Sequence, residues 1–161
     1  MKENSSSARK TARYFLVAKV LFGITPFVAY LYLTLQGSLM ASSLQGMLES
    51  YPGLVVIFIL AMVNPYISYL LSLIEKNLAA GNHKFALINM GIILITQLAS
   101  LNFFYLSLLV YVFYRAIKDY KLDLKSQLFR IPIVKVLHDG GGSLIVLAVN
   151  LLCLFTTIKI I

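Results

Sequence analysis

Four carboxamides interrupt otherwise apolar stretches of this 161-residue chain: Asn64, Asn89, Gln97 and Asn150. An amide both donates and accepts hydrogen bonds, so four of them facing one another would line a polar path or a small-ligand cleft. With no carboxylate or histidine among them, they would make a poor proton or cation relay. The competing use is adhesion between helices, worth about 0.6 kcal/mol per hydrogen bond in a membrane. Asn64 precedes Pro65, which removes a backbone hydrogen bond in mid-helix. The freed carbonyl either lines a substrate or ion site, as in transporters with broken helices, or marks a simple bend. Asn64, Pro65, Asn89, Gln97 and Asn150 are the candidate polar and kink positions.

Other chemistry-bearing residues assemble less well. His83 and His138 fall near Glu75, Lys84, Asp119, Asp123 and Asp139, and a His–Asp pair can do acid–base work. The run His138-Asp139-Gly140-Gly141-Gly142-Ser143 superficially resembles a glycine-rich phosphate or oxyanion loop. It has no strand–turn–helix context, no Walker lysine and no serine nucleophile elbow. It reads instead as a flexible break, with Ser143 capping the next helix. Cys153, the single cysteine, can form no internal disulfide and is expected to be a buried, inert thiol. No catalytic residue, cofactor or metal site is expected, and the chain reads as a non-enzyme.

The elements that must position these residues are marked by missing charge. No Lys, Arg, Asp or Glu occurs between Lys19 and Glu49, Glu49 and Glu75, Lys84 and Arg115, or Asp139 and Lys159. A charge at a bilayer centre costs roughly 3 kcal/mol on insertion scales, so this punctuation fits an all-α, polytopic membrane bundle. The chain is 60% hydrophobic, more than a soluble domain of this size can hide, and 12% charged against a soluble average of roughly 25%. The net charge of +8 flanks apolar spans and does not form a patch with interleaved aromatics. Nucleic acid is therefore not an expected partner, and the anionic inner leaflet is.

Five spans are expected, at about residues 14–35, 53–74, 85–99, 103–117 and 144–158, in one membrane domain covering 14–161. Residues 1–13 read as a mobile basic cytoplasmic tail. The stretch after it is too long for a signal-peptide core and reads as a retained first helix. Lys19, one turn inside, would snorkel to the head groups, and Pro26 would kink the helix. Between the first two spans, Leu39, Leu44, Met47 and Leu48 suit a short helix on the outer interface. Ser68 and Ser72 form a small-xxx-small pair permitting close helix approach, and Gly81-Asn82 would turn the chain. Tyr14, Tyr51, Tyr105, Tyr111, Tyr114 and Tyr120 fall near span ends as aromatic belts, with packing inside the bundle as the alternative for Tyr105 and Tyr111.

The charge-free stretch 85–114 would be about 45 Å long as one helix. A hairpin turning at Ser100-Leu101-Asn102 is preferred, because a single span would put Arg115, Lys118, Lys121, Lys125, Arg130 and Lys135 outside, against the positive-inside rule. Residues 119–137 read as a basic amphipathic segment on the inner interface, with Lys118, Lys121, Lys125, Arg130 and Lys135 as a surface for a partner or lipid.

Two functional classes follow. The first is an accessory, regulatory or immunity-type protein of the cytoplasmic membrane, bacterial by expectation, that acts by binding another protein or its own copies. The second is a small transporter or channel subunit using the Asn64-Pro65 break. Charge reversal on the basic segment and substitution of Pro65 separate them.

Overall fold

The computed structural model describes residues 2–39, 44–122 and 133–160, and every element among them is helical. In chain order these are α1 (Lys2–Leu39), α2 (Leu44–Ser50), α3 (Pro52–Ala79), α4 (His83–Ala99), α5 (Phe103–Asp119), α6 (Ile133–Asp139) and α7 (Gly141–Ile160). Three segments are long and apolar enough to cross a membrane: Lys10–Gly37, Pro52–Ala79 and Gly141–Lys159. The shorter His83–Ala99 helix is apolar too.

Each long helix follows from an uninterrupted apolar run, and each turn from residues that end one. At the α3–α4 turn Gly81 adopts φ 80, a left-handed conformation open to glycine at no steric cost. Asn82 then donates to the Asn77 side chain at 3.1 Å. At the α4–α5 turn Leu101 takes φ 53, and the Asn102 side chain caps α5 by accepting from the Tyr105 amide at 3.4 Å. This turn falls at Ser100–Asn102, where the distribution of charge asks for one. α2 occupies the linker in which a short helix was expected.

α1 packs on α3 and α5, and α4 packs on the same two helices, which closes a four-helix ring. Phe15 and Phe22 from α1, Leu71 from α3, Ile93 from α4 and Leu109 and Val112 from α5 fill its centre and are fully buried. α7 lies against α3 and α4, and α6 sits where α4 and α7 meet. The outward faces carry exposed Phe27, Leu31, Phe104, Tyr114, Leu152 and Phe155. An apolar surface on every side of a bundle is costly in water and ordinary in lipid.

Four sequence expectations change. Residues 2–13 are not a separate tail but the first turns of α1, because no proline or glycine stops the helix there and Thr11 is buried, donating to the Asp119 carboxylate. Lys19 does not reach free to the head groups, since Glu75 on α3 pairs with it. The glycine run is tightly packed: a Cβ on Gly140 would meet the Val136 carbonyl at 2.6 Å and Ile92 at 2.7 Å, and one on Gly142 the Tyr66 hydroxyl at 2.9 Å. Finally, α7 starts at Gly141, not Leu144. Within the amphipathic stretch 119–137, residues 123–132, which include Lys125 and Arg130, lie outside the described residues.

Candidate functional site

Three of the four amides converge. Asn64 on α3, Gln97 near the end of α4 and Asn150 at the middle of α7 line one cleft of about 500 Å³, together with Thr25 on α1 and Ser100 and Asn102 of the hairpin turn. Asn150 is held by its own helix, donating to the Val146 carbonyl at 2.9 Å, and its side-chain oxygen accepts from the Ser100 hydroxyl. Asn64 and Gln97 are 7% and 2% exposed, and neither side chain has a hydrogen-bond partner among the described residues. Their amide atoms open on the cleft and are not sealed from it; the sealed side-chain atoms without a partner among the described residues are His83 Nδ1 and Arg115 Nε.

The backbone beside the cleft is opened by proline. Pro65 has no N–H for the Ala61 carbonyl four residues earlier, and buried Ala61 lines the cleft with Asn64. α3 continues through Pro65 as one helix. Across the cleft Pro26 interrupts α1 in the same way, with neighbouring hydroxyls in support. Thr25 donates to the Leu21 carbonyl at 2.9 Å, Tyr105 reaches the same carbonyl at 3.3 Å, and the two hydroxyls lie 2.5 Å apart. Tyr105 thus packs inward and does not serve as a belt residue.

Asn89 stands apart from the other three. It donates to the Phe85 carbonyl at 2.9 Å and the Asp139 carbonyl at 3.0 Å, and accepts from the Ser143 hydroxyl at 2.6 Å. It is the pin between α4 and the α6–α7 junction. Ser143, expected to cap α7, is spent on this bond instead. Ser68 also serves adhesion between α1 and α3: its hydroxyl donates to the Lys19 carbonyl at 2.8 Å.

The opposite end of the bundle is ionic. Thr11–Asp119 and Lys19–Glu75 bring the start of α1 to the ends of α5 and α3, and Asn89 brings the end of α6 to the same level. Lys10, Arg13, Lys76, Lys84, Lys118, Lys121 and Lys135 are exposed around this end. Arg115 pairs with Asp119 at 3.6 Å and lies 5.9 Å over the Tyr14 ring, while Lys135 reaches Asp139 at 4.0 Å. Burial pushes the Tyr120 phenol above its ordinary pKa, and the Glu75 and Asp119 carboxylates add to it. Lys159, 4.8 Å over the Phe155 ring, is the one described cation at the far end. Among the described residues no three His, Cys, Asp or Glu side chains gather as a metal site. His138 faces Asp139 at 3.0 Å but is exposed, away from the cleft.

Sequence reading missed Ser100, Asn102, Thr25 and Glu75 as partners of this architecture. Ser100 and Asn102 had a signal, since polar residues at a turn between two apolar helices need partners. Glu75 had none, because nothing in the linear order joins it to Lys19. The chain matches no protein-family model, no curated protein and no solved structure. The cleft, with no charged side chain in its lining, lies toward one end of the bundle, and the exposed cations surround the other.

Proposed function

We propose that the chain is a five-span integral protein of the cytoplasmic membrane with its N-terminus inside, without covalent chemistry of its own, acting as an accessory, regulatory or immunity-type protein by binding a partner protein. The observation that carries it is the segregation of charge. Among the described residues seven exposed cations surround one end of the bundle and Lys159 alone marks the other, which supports an inside location for the basic end by the positive-inside rule. A cationic rim attracts an acidic partner surface or anionic lipid and steers encounter. The cleft holds no ionisable side chain except the Tyr32 phenol, which speaks against ion relay and acid–base catalysis there.

The test is an in-cell photocrosslinker at Lys121. A discrete adduct is expected, and it should weaken when Lys118 and Lys135 are reversed to Glu. Absence of an adduct at equal membrane levels would sink the partner reading.

The second reading, a small transporter or channel subunit, is favoured by one observation: Asn64 and Ala61, whose carbonyl Pro65 leaves without its amide partner, line the same cleft. It predicts the reverse order of effects, with Pro65→Ala abolishing activity and charge reversal nearly silent.

A further inference from the structure

The α4–α5 hairpin is the short member of the bundle. Its arms of 17 residues reach about 25 Å, whereas the 28 residues of α3 reach about 42 Å. α3 ends and α4 begins at the same turn, Ala80–Asn82, so the hairpin tip stops while α3 continues. The cleft is the hollow above that tip: Ser100, Leu101 and Asn102 line it from below, and α1, α3 and α7 from the sides.

Its floor and mouth differ in chemistry. Asn64 and Gln97, both more than nine-tenths buried, aim unpartnered amides into it. Val28, Ile57 and Phe103 line the mouth and are 57%, 54% and 65% exposed. The amides demand an occupant that donates and accepts at once. No cation is present to neutralise a phosphate and no carboxylate to neutralise an ammonium, and a charged head would lose its hydration there without compensation. Hydroxyl groups satisfy both demands without charge, and a neighbouring pair of them matches the two-atom end of a carboxamide. The volume lies within the range of small-ligand sites, and the apolar mouth suits a hydrocarbon tail.

We propose that the cleft binds the uncharged, hydroxyl-bearing head of an amphiphile, a glycerol or sugar ester, whose tail leaves past Val28 and Phe103 into the surrounding hydrocarbon. The proposal rests on the membrane reading and not on the partner reading. The experiment is native mass spectrometry of the full chain in phosphatidylcholine nanodiscs containing monooleoylglycerol or monogalactosyl diacylglycerol, with phosphatidylglycerol as the charged control. The neutral lipid should be retained. Its retention should fall at least tenfold in the Asn64→Leu/Gln97→Leu double variant and in Val28→Trp, which fills the mouth without touching the floor. Free galactose or glycerol added to loaded protein identifies the source: displacement points to a soluble polyol, and its absence to the lipid. Equal retention of phosphatidylglycerol, or retention unchanged in both variants, overturns the proposal. Insertion into nanodiscs without neutral-lipid binding overturns this site alone, whereas failure to insert overturns the membrane reading with it.

Discussion

Lys19 Nζ on α1 lies 2.6 Å from the Glu75 carboxylate on α3, with both side chains about three-quarters shielded from solvent. Each charge sits at the border of an apolar run, where it would be costly alone. Together they join two helices 56 positions apart in sequence. Removing one partner strands the other, a loss of about 3–5 kcal/mol for a fully buried pair. For this partly exposed pair, Lys19→Met or Glu75→Gln should cost about 1–3 kcal/mol in reversible unfolding in micelles, given that partial solvent access reduces the penalty. The Lys19→Met/Glu75→Met double variant should recover most of the loss. Additive losses in the double variant would mean that the two side chains act independently.

Topology is open to cysteine labelling with an impermeant reagent, because native Cys153 is buried and provides a low background. Ser50→Cys and Leu101→Cys should react from outside, and Asn82→Cys and Lys121→Cys only after the membrane is opened. Leu101 is 62% exposed at the hairpin tip, which makes it the sensitive probe. External labelling of Lys121→Cys in intact cells would show that residues 85–117 cross once and not twice, and would leave three spans before the C-terminal helix.

The four amides should separate into two groups by stability. Asn89→Leu strands the Ser143 hydroxyl and the Asp139 carbonyl, and should destabilise by about 1–3 kcal/mol. Asn64→Leu removes a group with no partner among the described residues and should be neutral within about 0.5 kcal/mol or stabilising. Thermal unfolding of the two variants at equal detergent decides it, and the opposite order would contradict the hydrogen bonding described here.

Adjacent glycines offer a sharper contrast. A Cβ on Gly140 meets the Val136 carbonyl and Ile92, so Gly140→Ala should cost about 1–3 kcal/mol through overpacking. A Cβ on Gly141 meets nothing within 4 Å, and Gly141→Ala should be tolerated or gain up to about 1 kcal/mol. Equal tolerance at both positions would restore the picture of a loose loop between α6 and α7.

The sequence by itself determined which stretches are helical and apolar, because the cost of a charge in hydrocarbon is a local property of each stretch. Local chemistry also located the turns at Gly81-Asn82 and Ser100–Asn102. It could not say how far helix extends past an apolar run, so the residues before Tyr14 were read apart from α1, although Thr11 reaches Asp119 108 positions away. Nor could it sort the amides. Asn89 and Gln97 share one helix and one residue class, yet Asn89 is consumed by Asp139 and Ser143 while Gln97 faces a hollow. That difference arises from helix rotation and from the unequal lengths of α3 and the hairpin, which leave space above the tip. Both are relations between elements, decided only when the helices pack.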